Sequence, residues 1–191
     1  MNVRLRLLIT VFRVAGYLAD SLPGGARFHA NFLPKKIFGE EVVVRAIFSP
    51  FHLNSEGERL IPAAFDPTPG TDEISIMRES FLGGHCCKRK ARELENPKHK
   101  KVFTGFAVMV VERIKRDAGC NVEDSRGEFL GHADIRTGIV WGPRGRGKPM
   151  DPEMREKSDC ISSSLVALSK YIKDPSPAAF RWEGPALMPQ Q

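Results

Sequence analysis

No apolar run in this sequence reaches the roughly 18 to 20 residues that a membrane-crossing helix needs, so no membrane span is expected. Cysteine is scarce. Four residues stand at uneven spacing, two of them adjacent, which does not resemble the framework of a disulfide-stapled secreted domain. Reduced thiols and a cytoplasmic location are expected instead. Pairs of the C-x-x-C or H-x-x-x-H type are missing, so His85, Cys86, Cys87, His99, Cys120 and His132 lack the spacing of zinc ligands. No metal and no other cofactor is expected. No internal repeat recurs at the periods that mark a solenoid. No nucleophile elbow or comparable signature surrounds Cys86, Cys87 or the serines from Ser162 to Ser164, which leaves nucleophilic catalysis without a motif.

What is present is an ordinary globular composition. The 191 residues are 41% hydrophobic and 27% charged, enough apolar content for one core without staples. The net charge of +6 favours acidic or polyanionic partners.

The chain is organised around residues 102–141. Val102 to Val111 is almost wholly apolar and rich in β-branched and aromatic residues, as expected of a strand with both faces covered at the centre of a sheet. Glu112, Arg113, Lys115 and Arg116 are expected to carry the chain out into water. Downstream, residues 128–135 predict a strand that sends His132 and Asp134 to one face. Arg136-Thr137-Gly138 would turn it back into Ile139-Val140-Trp141 as a hairpin.

Residues 1–39 differ from the rest. Arg4, Arg6, Arg13 and Arg27 stand there with Asp20 as the lone acid. The segment is compatible with a poorly ordered tail, a surface helix, or a targeting-like or mis-assigned start. A single domain is expected over residues 40–175. It opens on a strand at Val42–Phe48 and continues with a second short strand near Glu73–Arg78. A short helix is predicted over His85–Glu95, with Cys87, Ala91 and Leu94 on one face. A longer one is predicted over Ser158–Lys173, with Ile161, Leu165, Leu168 and Ile172 as its stripe. Asp151-Pro152-Glu153 is a further helix-start signal. From Ser176 the chain is Pro-rich and irregular, with Phe180 and Trp182 as anchors. The fold expected is α+β: a mixed or antiparallel sheet, two packed helices and irregular termini.

Three groups of residues are candidates for function. His132 and Asp134 can be a base and its orienter. Lys88, Arg89, Lys90, Arg92, Lys98, Lys100 and Lys101 form the densest basic cluster, and Arg144, Arg146 and Lys148 line a Gly-rich loop. The two segments can track a phosphate backbone, with Lys88, Arg89, Lys90, Arg92, Arg144, Arg146 and Lys148 as the candidates, although neither segment has the interleaved aromatics of a single-strand binder. Gly142 to Lys148 also spells most of a phosphate-binding loop, but Pro149 replaces the hydroxyl residue that would hold a metal ion.

Three pieces of the chain together resemble small uncharacterised accessory proteins of bacterial defence or CRISPR-type loci. They are Pro50-Phe51-His52-Leu53 leading through Gly57 to Ala64-Phe65, then Ile74-Ser75-Ile76-Met77-Arg78, then His132-Ala133-Asp134-Ile135. The similarity covers roughly residues 42 to 135. It implies a bacterial cytoplasmic protein that acts with partners, and brings no catalytic residues with it. The function expected is therefore a non-catalytic accessory or adaptor protein working through protein–protein contacts. A basic nucleic-acid-binding factor and an enzyme centred on His132 and Asp134 are the alternatives. The sequence carries no signal for an oligomeric state.

Overall fold

The apolar run beginning at Val102 forms strand β3 (Val102–Val110), after β1 (Val42–Ser49) and β2 (Glu73–Met77). Three shorter strands follow: β4 (Asn121–Asp124), β5 (His132–Arg136) and β6 (Lys170–Lys173). The structure, a computed structural model, describes residues 3–19, 33–142 and 151–189. The six strands make one antiparallel sheet in the order β4-β5-β2-β1-β3-β6. Four α-helices accompany it among the described residues: α1 (Val3–Ala19), α2 (Glu79–Glu93), α3 (Val111–Ala118) and α4 (Pro152–Leu168). The fold is the α+β arrangement expected, with α2 and α4 as the two anticipated helices.

Strand alternation sorts the core onto two faces. Val43, Ile47, Ile74, Ile76, Ala107, Met109, Ala133 and Ile135 face one side. There Ile114 of α3, Leu165 and Leu168 of α4, and the 3-10 turn at Pro62–Phe65 cover them. Val44, Ala46, Phe48, Met77, Phe106 and Val108 face the other side, under Cys87 and Ala91 of α2 and under Trp182 and Leu187 of the C-terminal segment. Trp182 is thus an anchor as expected, packing 5.2 Å from Phe106, whereas Phe180 is exposed and only touches His85 edge-on.

Several expectations need correction. β3 is off-centre, with β2, β5 and β4 all beyond β1, and is interior only because the predicted helix over Ser158–Lys173 ends at Leu168 and its last residues become β6. Lys170-Tyr171-Ile172 gains more from pairing with the open edge of β3 than from another helical turn, so tertiary pairing overrides local periodicity. Ile172 consequently packs on the opposite face from Ile161, Leu165 and Leu168. The N-cap of α4 is Asp151, which accepts from the N–H groups of Glu153 and Met154, with Pro152 in the first turn. Residues 112–116 do not simply exit into water but form α3, with Val111 and Ile114 buried beneath the charges. The expected return strand at Ile139–Trp141 is absent: β5 pairs with β2 and β4, while Trp141 lies along the loop at residues 70–71. Helix α2 starts six residues early because Gly83, at φ 71°, kinks a first turn into the predicted segment.

Within residues 1–39, the described helix α1 packs against the body. Leu5 and Phe12 of α1 are buried, and the Phe12 ring meets Phe81 of α2 edge-on at 5.4 Å.

The most connected polar group is Arg78, between β2 and α2. Its side chain is fully buried. Nε and Nη2 donate to the two oxygens of buried Glu41 at 2.9 and 2.8 Å. Nη1 donates to Asp124 at 2.8 Å and to the Pro34 carbonyl at 2.6 Å, and Nη2 reaches the Lys36 carbonyl at 3.3 Å. The guanidinium also lies 4.8 Å from the centre of the Phe81 ring. Such a fork matches a carboxylate bidentately, which Lys cannot do. Removing the cation alone strands the Glu41 carboxylate in the interior. Arg78→Leu is therefore expected to destabilise the protein by about 3–5 kcal/mol. Equilibrium denaturant unfolding measures this, and a loss under about 1 kcal/mol would show that the network is dispensable.

Candidate functional site

β1 and β3 pair along their whole length, with a register shift after Ile47, but β1 and β2 share one registered pair, Val44↔Met77. Past that pair the two strands separate. The side chain of Arg45 fills the space where ladder hydrogen bonds would lie. Its Nη1 donates to the Ser75 carbonyl at 2.9 Å and its Nε to the Ala64 carbonyl. The guanidinium also stacks 5.9 Å from the centre of the Phe65 ring. On the α2 side this split opens into a cavity of about 430 Å³, within the usual size of small-molecule sites. Arg45, His52, Ser75, Met77, Lys101 and His132 are among its lining residues, with Lys90 and Leu94 from the end of α2.

All three sequence pieces that carried the family resemblance converge here. The first contributes His52 and the Ala64 carbonyl, the second Ser75 to Met77, and the third His132. The turn after β1 folds back because the Phe48 N–H donates to His52 Nδ1 at 3.2 Å while the His52 N–H returns to the Phe48 carbonyl. The accepting Nδ1 makes the neutral ring the Nε2–H tautomer. Lys101 lies 4.3 Å from the centre of the Phe48 ring, and among the described residues no carboxylate forms an ion pair with it. Burial, and then the Arg45 charge, lower its ammonium below the ordinary lysine value. Burial likewise lowers Arg45 to about 10, against the opposing pull of Asp66 and Asp134.

His132 and Asp134 do share a face of β5, as expected, and both are buried. They do not share the hydrogen bond expected of a base and its orienter. Asp134 stands 3.9 Å from His132 Nδ1, outside hydrogen-bond reach, and that nitrogen is engaged by Ser125 Oγ at 2.7 Å. Nε2 faces Glu128 at 3.4 Å. Ser125, Glu128 and His132 all belong to the connection between β4 and β5 or its end, so the imidazole fastens that turn. The acid–imidazole–hydroxyl order invites comparison with a catalytic relay. Glu128 is 67% exposed, however, and a solvated carboxylate stabilises an imidazolium only weakly. Ser125 opens onto a separate surface hollow beside Lys35, Glu123 and Arg126.

Of the basic candidates, the four that are described do not all face solvent. Lys88 is fully buried, a correction to its expected place on the outside of the helix. Its Nζ is 2.8 Å from Asp174 and donates to the carbonyls of Ser176 and Arg181. It fixes the C-terminal segment to α2, and no sequence signal pointed to Asp174 as its counter-ion. Lys90 pairs with Glu93 and Arg92 with Glu95, leaving Arg89 as the exposed member of these four without an ion pair among the described residues. Arg144, Arg146 and Lys148, with the whole Gly142–Lys148 motif past Gly142, lie outside the described residues. Cys87 is buried as expected, and burial raises its thiol well above the ordinary value; Cys160 is exposed rather than in the core. No group of three His, Cys, Asp or Glu side chains among the described residues is placed to hold a metal ion. Also among them, no helix is long and apolar enough to cross a membrane.

Comparison with protein-family models, curated proteins and solved structures finds no match for this chain.

Burial, followed by the Arg45 and Lys101 charges, lowers the His52 imidazolium from 6.5 to about 3. In the unfolded chain the ring regains its ordinary value, so on acidification the unfolded state takes up a proton first. The stability due to neutral His52 is complete above about pH 6.5 and is lost progressively as pH falls toward 3. His52→Gln is expected to flatten this part of the profile. Denaturant midpoints taken across the range for both proteins check it, and parallel curves would place the pH dependence elsewhere.

Proposed function

We propose that this protein is a non-catalytic accessory factor that works by docking a helical segment of a protein partner on α1. The observation that carries this reading is the outward face of α1. Val3, Leu7 and Val14 are 83%, 63% and 54% exposed, and Val11 beside them 40%. With Thr10 they mark positions 3, 7, 10 and 14, the alternating four-and-three spacing of a helix–helix seam. The opposite side of the same helix, through Leu5 and Phe12, is already used against α2. An apolar stripe left over after the core is satisfied is the mark of an interaction surface rather than of scatter.

The charges favour an acidic helical partner. Arg4 and Arg6 are exposed and flank the seam, and α1 has no acidic residue. Two copies of α1 brought together would oppose arginine to arginine, so a different, acidic chain complements the stripe better than self-association does. The resemblance to accessory proteins of bacterial defence loci is compatible with this reading and supplies no residue to it. The competing nucleic-acid reading loses support from the burial of Lys88 and the internal pairing of Lys90 and Arg92.

Leu7→Lys with Val14→Lys tests the proposal, because both side chains are exposed and their replacement should leave folding intact. A partner recovered with the wild-type protein from its own cells, and identified by native mass spectrometry, is expected to bind the double variant at least tenfold more weakly. That follows from about 1.5–3 kcal/mol for each apolar contact removed. Unchanged affinity would refute docking on α1. Binding of the wild type to anionic vesicles, with no protein partner, would replace this reading by a membrane-surface one.

A further inference from the structure

We propose that the split between β1 and β2 is a binding site for a small aromatic phosphate monoester, with Lys101 and Arg45 receiving the phosphate and the walls of the cavity holding the ring. The site is distinct from the outward face of α1, and nothing in the docking proposal depends on it.

The first argument is the distribution of charge. The cavity contains Arg45, Lys90 and Lys101, all partly buried, while Glu93 and Glu128, its two carboxylates, are exposed at the rim. Lys90 is neutralised by Glu93 at 2.7 Å. Lys101 has an aromatic ring beneath it and no carboxylate ion pair among the described residues. Arg45 has two carbonyl acceptors, with Asp66 and Asp134 acting on it electrostatically. Lys101 and Arg45 repel one another across the partly enclosed cavity, and an anion that enters it relieves this repulsion. A phosphate oxygen array can accept from both cations.

The second argument is shape. The walls between the cations and the mouth are Phe48, Met77, Leu94 and Phe129, aromatic or flexible apolar side chains that suit a flat ring. His52 contributes bulk and an N–H without charge, since its imidazolium is suppressed. A volume of about 430 Å³ accommodates a ring joined to one phosphate and is small for a longer polyphosphate or a nucleic-acid strand.

The probes are phenyl phosphate and adenosine 5′-monophosphate, with inorganic phosphate and adenosine as the two halves. Isothermal titration of the full chain at low salt is expected to give a Kd below about 1 mM for at least one monoester, with each half binding at least about tenfold more weakly. Lys101→Gln keeps the backbone bridge to Asn96 and is expected to weaken the monoester at least tenfold, about 1.4 kcal/mol, while Lys98→Gln on the exposed turn leaves it unchanged. Thermal unfolding of both variants verifies that they are folded. Absence of heat for every monoester, or equal affinities for the wild type and Lys101→Gln, overturns the assignment. Equal affinity for adenosine and its monophosphate overturns the role given to the cations.

Discussion

The buried Arg78 guanidinium is the constraint on which the rest of the architecture depends. It stands at the junction of β2 and α2 and reaches backward to the segment before β1, through Pro34, Lys36 and Glu41, and forward to the end of β4, through Asp124. A buried ion pair is poor evidence of net stability when compared with a hydrophobic replacement. Its value here is geometric. Five donor contacts from one planar group determine where three separate pieces of chain meet. Arg126 repeats the pattern from the other side of Asp124, reaching the Leu33 carbonyl as well. Burial alone would raise the Asp124 carboxyl, but Arg126 and Arg78 together hold it below the ordinary value. It therefore remains an anion wherever the protein is folded at neutral pH.

The sheet is built unequally around that anchor. On one side β1 and β3 are paired through eight positions, with a bulge after Ile47. Gly105, opposite Ile47, brings β6 so close that a Cβ would stand 2.3 Å from the Ile172 carbonyl. On the other side β2 leans toward β5 and meets β1 at a single pair. Arg45 bridges what the backbone leaves open. A sheet that is tight at one junction and open at the next concentrates unsatisfied backbone and charge at the opening, and the cationic lining of the cavity follows from this.

Much of the framework was legible in the sequence, and the reasons are physical. β1 and β3 were visible because continuous β-branched runs have few other uses in a chain of this length. Cys87 and Ala91 announced the buried face of α2, and Trp182 stood out as one of two large aromatic side chains in the C-terminal tail. What escaped notice depended on partners remote in sequence. Lys88 reads as one more surface cation until Asp174, contributed by a segment 86 residues away, is placed against it. β6 reads as the last turn of a helix because four residues are too few to display a strand period against a preceding helical one. The cleft was legible only in disguise. Some of its residues, His52, Ser75 to Met77 and His132, belong to three short pieces noted in the sequence, but their convergence arises from the splaying of two strands, which no local pattern records. His132 shows the opposite error, since its period-two neighbour Asp134 suggested an orienter that strand geometry places too far away.

The two proposed surfaces share the anchor without sharing residues. Phe81, stacked under the Arg78 guanidinium, is the residue against which Phe12 of α1 packs, so the attitude of α1 is set from the first turn of α2. The cavity lies at the far end of the same helix, beyond the Gly83 kink, where Lys90 and Leu94 overhang β1 and β2. A chain of rigid contacts therefore runs from the outward stripe of α1, through Phe12, Phe81 and Arg78, into β2, which forms one wall of the split. Spatial continuity of this kind does not itself couple two sites. Coupling would require an element with two arrangements whose balance both occupants shift. The kink at Gly83 is the place in α2 where such a change could occur with the least disruption of helical hydrogen bonds, because its backbone already departs from the helix. Arg78 lies on the sheet side of that kink, whereas Lys88, beyond it, is held by buried Asp174, so movement of the remainder of α2 would strain the Lys88 pair and spare the Arg78 network.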